Sequence, residues 1–128
     1  MTAQSLADEI VELVDGRNHV SFGEIVQRMS DRYDLAGSEA IEAPSCPNLF
    51  YWVNMSGLFV DAVQLVLASE RAHLEPCPVL VYLVDGLALR LPLARRLPKG
   101  GFKAPRWAPV TFVRGPSGAV KTSKRKAG

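Results

Sequence analysis

The hydrophobic period of this chain changes near Glu70, and that change divides the architecture in two. Before it, apolar residues recur at helical spacing behind hydroxyl residues able to cap a helix. After it, they fall in short runs punctuated by proline and glycine. A helical stretch followed by an extended one specifies an α+β domain. At 128 residues the chain fits one domain plus a tail, since single domains commonly run to about 100–150 residues.

The helical half reads as three segments. Ser5 is placed to cap the first, with Asp8 and Glu9 suited to its positive end, Leu6, Ile10, Leu13 and Val14 on one stripe, and Gly16 as its stop. Ser21 and Glu24 have capping-box spacing for a second helix reaching Tyr33, with Phe22, Ile25, Val26 and Met29 turned inward. His19 and Val20 can form a short strand before it. Small, acidic and proline-broken composition from Leu35 to Asn48 reads as a loop. The aromatic run LFYWVNM that follows is too short for its period to separate helix from strand. Ser56 then caps a third helix over residues 57–69, with Leu58, Phe59, Ala62, Val63, Val66 and Leu67 facing the core.

Beyond Glu70, RAHLEP predicts a strand closed by Pro76. VLVYLV predicts another, Asp85-Gly86 a turn, and LALRLPL a returning partner that Pro92 ends or confines to an edge. VTFV, residues 110–113, is one further short strand. The organisation expected is a folded domain over 1–93, a basic and aromatic extension over 94–116 packing on or near it, and a disordered basic tail over 117–128.

Charge names a partner class. Asp85 is the last acidic residue, and the 43 residues after it carry eleven Lys and Arg. The first 48 residues hold nine acids against three arginines. A one-sided basic segment is the electrostatic footprint of a surface that meets phosphate. Arg90, Arg95, Arg96, Lys99, Lys103 and Arg106 are the candidate phosphate contacts, and Phe102 and Trp107 interleave with them as stacking platforms. Gly100 and Gly101 would let backbone approach a phosphate closely. Lys121, Lys124, Arg125 and Lys126 would add reach. The opposing reading is that this positive charge balances the acidic first half within the same molecule.

Other classes find little support. No apolar run approaches the ~18–20 residues of a membrane span, and the acidic N-terminal stretch lacks the basic residues of a signal peptide, so a cytoplasmic setting without membrane contact is expected. Cys46 and Cys77 are too few for a disulfide framework or a conventional zinc site. His19 and His73 lack metal-ligand spacing, and neither a Walker-type loop nor GxSxG occurs. No enzyme activity, catalytic residue, metal or cofactor is expected.

Three helices followed by short strands with a Gly-containing turn resemble the winged-helix variant of the helix-turn-helix class, over roughly residues 5 to 93. The resemblance places Ser21 to Tyr33 as the second helix, Ser56 to Ser69 as the recognition helix, and the hairpin at Asp85-Gly86 as the wing. It implies a regulator or accessory factor on double-stranded DNA, acting as a homodimer through the LFYWV region. Departing from that pattern, more than twenty residues separate Tyr33 from Gly57, against a turn of ~3–4. The outward positions of the third helix offer Asp61, Gln64 and Ser69, so only Gln64, Asn54 and Ser56 remain as base or phosphate contacts from the helical part. Two further readings stand beside this one. One is a protein-interaction module that docks through the acidic half or LFYWV and is anchored by its basic end. The other is a binder of single-stranded RNA or of ribosomes.

Overall fold

The structure, a computed structural model, describes residues 2–44, 46–94 and 100–116. The protein is a mixed α+β fold. Its elements are α1 (Ala3–Arg17), β1 (Val20–Ser21), α2 (Phe22–Met29), β2 (Ala36–Glu42), β3 (Leu49–Met55), α3 (Gly57–Ser69), β4 (Ala72–Pro76), α4 (Val79–Asp85), β5 (Arg106–Trp107) and β6 (Val110–Arg114). Among the described residues six strands form two three-stranded sheets, ordered β1-β6-β4 and β2-β3-β5. The first sheet is antiparallel throughout. In the second, β2 and β3 are antiparallel, whereas β3 and β5 run parallel.

Local signals account for most helix starts. Ser21 accepts the amide hydrogen of Glu24, and Ser56 that of Phe59, satisfying orphan donors of α2 and α3. The first helix begins earlier than expected, because Thr2 and Ser5 form a reciprocal capping box that places Ser5 inside the helix. Gly16 lies within α1 too, and Asn18, at φ +52°, ends it. The Glu24 carboxylate does not fold back on its cap but lies 2.8 Å from both Arg17 and Arg28.

Three expectations fail, each for a tertiary reason. The loop foreseen over 35–48 holds β2, and LFYWVNM is its partner β3. In β2 only Ile41 is buried, so its sequence has no alternation to reveal a strand. Its pairing with β3 also shifts register three times. VLVYLV is helix rather than strand, despite its β-branched content. Pro78 precedes it and Gly86, at φ +82°, ends it. The helix turns Tyr82 into the core and leaves Leu80, Leu83 and Val84 exposed. With no strand there, the Asp85-Gly86 hairpin is absent, and LALRLPL contributes only an isolated bridge from Leu93 to Trp107. Finally, residues 106–114 are no extension. They supply β5 and β6, and β6 is the middle strand between β1 and β4.

Six aromatic rings knit the core together. Phe22 stacks on Trp52 at 5.8 Å and touches Phe59 and Phe112, while Trp52 also packs on Tyr82 and Trp107. Leu49 and Trp52 are therefore buried within one chain, leaving Phe50, Tyr51 and Val53 half-buried. Among the described residues no helix is long and apolar enough to cross a membrane.

Candidate nucleic-acid interface

Between β4 and β6 the chain makes a long excursion, residues 77–109, that carries α4 and nearly all the candidate phosphate contacts. Its second half is a loop closed at its base. The Ala94 amide donates to the Trp107 carbonyl at 3.0 Å, and the Trp107 amide to the Pro92 carbonyl at 2.9 Å. Along the chain, Arg95 to Arg106 lie between the two sides of that closure. This stretch contains Arg95, Arg96, Lys99, Lys103 and Arg106 and no acid. Residues 95–99 themselves lie outside the described residues, as do Lys121, Lys124, Arg125 and Lys126.

The returning limb of the loop is clamped to the turn joining β2 to β3. The Phe102 amide donates to the Pro47 carbonyl (2.9 Å), the Asn48 side-chain amide to the Phe102 carbonyl (2.8 Å), and the Arg106 amide to the Asn48 carbonyl (2.8 Å). A small satellite core of Ala43, Cys46 and Leu49 receives Phe102, Ala94 and Ala108. Gly101 has φ +85°, and a Cβ there would sit 2.6 Å from Pro47. Its missing side chain therefore serves contact with the chain's own backbone. Gly100, at φ +76°, has open space around it instead.

Ion pairing separates the cations into two groups. Arg17 and Arg28 pair with Glu24, Arg32 with Glu9, and Arg71 with Asp15. Arg90, Lys103, Arg106 and Arg114 have no carboxylate partner among the described residues. The first-half acids that form ion pairs, Glu9, Asp15, Glu24 and Asp31, thus do so with cations from before Asp85. Within the excursion, Arg90, Lys103 and Arg106 thus stand apart from the described acids, and Arg106 rests 5.8 Å from the centre of the Phe102 ring.

The remaining candidates scatter. Trp107 is 1% exposed, and its indole N–H points to the Tyr51 carbonyl at 3.3 Å, so it presents no face to a base. The Ser56 hydroxyl donates to the Asp34 carbonyl (2.7 Å) while accepting from the Phe59 amide (3.1 Å), which commits it to capping α3. Gln64 is exposed on α3 and lines no part of the cleft described next. Asn54, exposed at φ +56°, does line that cleft.

A cleft of about 920 Å³ opens at the foot of the basic loop, between α2, the β2–β3 ribbon and residues 87–91. Arg90 and Pro105 border it on the loop side, and Asp34, Glu39 and Asn54 on the side of α3. Phe50, Trp52 and Leu89 give it apolar walls. Sequence reading singled out Arg90 and Asn54 here but had no signal for the cleft, because its walls come from segments far apart in the chain. Among the described residues no group of three or more His, Cys, Asp or Glu is placed to hold a metal ion. Neither family models, curated proteins nor solved structures yield a match to this chain.

Proposed function

We propose that this protein binds nucleic acid, foremost duplex DNA, as a regulator or accessory factor of winged-helix-like build, and that phosphate contact comes from the excursion between β4 and β6. The unpaired state of its described cations, set against the paired arginines of the first half, carries the reading. It argues against internal neutralisation as the purpose of the basic segment.

Topology supports the winged-helix comparison. Strand β1 lies between α1 and α2, and after α3 come β4 and β6, which complete the antiparallel sheet β1-β6-β4 and are joined by a long connection. In that comparison the wing is the 77–109 excursion, larger than a simple hairpin, and the β2–β3 ribbon is an insertion before α3. With Asp61 and Gln64 on its outer face, α3 is poorly furnished to read bases, so affinity rests on phosphates and depends on salt. The reading assigns no catalytic step.

The test is salt-titrated binding of fluorescent duplex and single-stranded oligonucleotides to the full chain and to an Arg95→Glu, Arg96→Glu, Lys99→Glu variant. If five loop cations each neutralise one phosphate, the log–log salt slope is about −4.5, and affinity for duplex falls roughly 500-fold between 50 and 200 mM salt. Truncation at Leu93 is unsuitable, because it removes β6 from the middle of its sheet. Duplex binding that is flat with salt, or unchanged by triple charge reversal, would sink the proposal. In that event the exposed Leu80, Leu83 and Val84 of α4, at 62%, 58% and 77%, favour the protein-interaction reading.

A further inference from the structure

The cleft at the foot of the loop holds charges of both signs that have not found each other. Arg90 lines it, as do Asp34 and Glu39, and none of the three side chains has an ion-pair partner among the described residues. Opposite charges in one concavity that stay unpaired are held apart, with room between them for a ligand bearing the complementary pattern. The strands give the length of the cleft between Pro105 and Asn54, two of its lining residues. Phe50 pairs with Trp107, two residues after Pro105, whereas Asn54 lies by Met55, which pairs with Ala36. From Phe50 to Asn54 the strand advances roughly 13 Å at ~3.3 Å per residue.

We infer that this cleft is a nucleotide site. Its base would lie between the apolar walls with its N–H edge toward Asp34 and Glu39, and its phosphate would lie at Arg90, beside Pro105. The volume falls within the range of small-molecule sites, about 300–1,000 Å³. Carboxylates are acceptors only, so they select a base edge rich in N–H donors. Guanine offers adjacent ring and amino N–H groups and fits best. Uracil, with one N–H between two carbonyls, fits worst. Phe50 and Leu89 give the planar ring apolar surface, and Arg90 offers the phosphate a guanidinium without a carboxylate partner among the described residues. The assignment deepens the nucleic-acid reading and rests on it for the role of the loop. Its source is either a free mononucleotide or a base splayed from a single strand, and both present the same chemistry.

The test uses the full chain and isothermal titration with GMP, guanosine, UMP and inorganic phosphate. GMP is expected to bind saturably, and more tightly than UMP or phosphate. Arg90→Glu should weaken GMP at least tenfold while leaving guanosine unchanged. Asp34→Asn with Glu39→Gln should weaken both. Ala40→Trp fills the cleft from an exposed strand position and should abolish GMP binding, and Ser38→Phe is a second filler should the first disturb β2. If GMP displaces a guanine-containing single strand, the site takes bases from a strand. If GMP binds and such strands do not compete, the free nucleotide is the ligand. No GMP binding, phosphate binding as tightly as GMP, or GMP affinity indifferent to both Arg90→Glu and Ala40→Trp would overturn the assignment. Duplex affinity of the Ala40→Trp variant should stay unchanged, so loss of the cleft ligand and loss of the loop contact read out separately.

Discussion

Replacing Tyr82 with Phe removes one oxygen atom and should destabilise the fold far beyond that atom's size. The β1–β6 register pairs Val20 with Phe112 and Ser21 with Thr111. Continued by one position, it would set Phe22 opposite Val110, where β1 ends and α2 begins. The Tyr82 hydroxyl stands in that place. It accepts the Phe22 amide hydrogen at 3.1 Å and donates to the Val110 carbonyl at 2.6 Å. Phe keeps the ring and its packing against Trp52 and Trp107, so no cavity opens, and water has no room to replace the hydroxyl. Two buried backbone groups then lose a partner, at about 1–3 kcal/mol for each group left unsatisfied. A total of roughly 2–6 kcal/mol is expected, or a Tm lower by about 8–24 °C at ~4 °C per kcal/mol for a domain of this size. Urea unfolding followed by far-UV circular dichroism measures it, with an unchanged m-value showing that the denatured state is not at issue. A loss under ~0.5 kcal/mol would refute the bridging role and with it the account of why α4 is helical.

Other consequences follow from the same contacts. Ser56→Ala should cost about 1–2 kcal/mol through the lost α3 cap and leave oligonucleotide affinity unchanged; weaker binding at equal folded fraction would return Ser56 to the interface. Gly101→Ala meets Pro47 and an unfavourable φ together, for a penalty of roughly 1–3 kcal/mol, and near-neutral thermal stability would show that the loop limb is not clamped as described. Hydrogen bonds from Arg32 and then Tyr33 hold the Glu9 carboxyl below the usual carboxylate range. A depressed folded-state pKa contributes stability above the unfolded value that disappears as pH falls through the folded one. Glu9→Gln should therefore narrow the gap in urea midpoint between pH 7 and pH 3, and an unaltered gap would count against the pairing.

Legibility followed the range of the forces. The hydroxyl caps at Ser21 and Ser56 and the apolar stripes of the three large helices act within a few residues, and they stand in the sequence as they stand in the fold. The strand at Ala72–Pro76 and the strand begun by Val110 were equally plain. What escaped was decided across the molecule. VLVYLV has strand-forming residues, yet a bridge to Phe22 and Val110 holds it helical. The residues of β2 have no pattern of their own and are ordered by β3. Basic residues 95, 96, 99, 103 and 106 were visible as a cluster, but Trp107 among them belongs to the core, and nothing local separated it from Phe102. Cleft residues Asp34, Glu39 and Phe50 carried no common motif, being joined only by the second sheet.

The strand that lies between β1 and β4 is also the last of the described elements along the chain. Val20 meets Phe112 about 90 positions later, so a ribosome must pass Arg114 before the sheet can close. Until then β1 and β4 lack the strand that joins them, and Tyr82 lacks the carbonyl it bridges. Such long-range closure slows folding relative to helical domains of the same size. It also ties the basic loop to a late event, since Trp107 at its base and β6 just beyond it are acquired together. A nascent chain that ends within the loop has begun its run of cations without the middle strand of the sheet from which that run is reached.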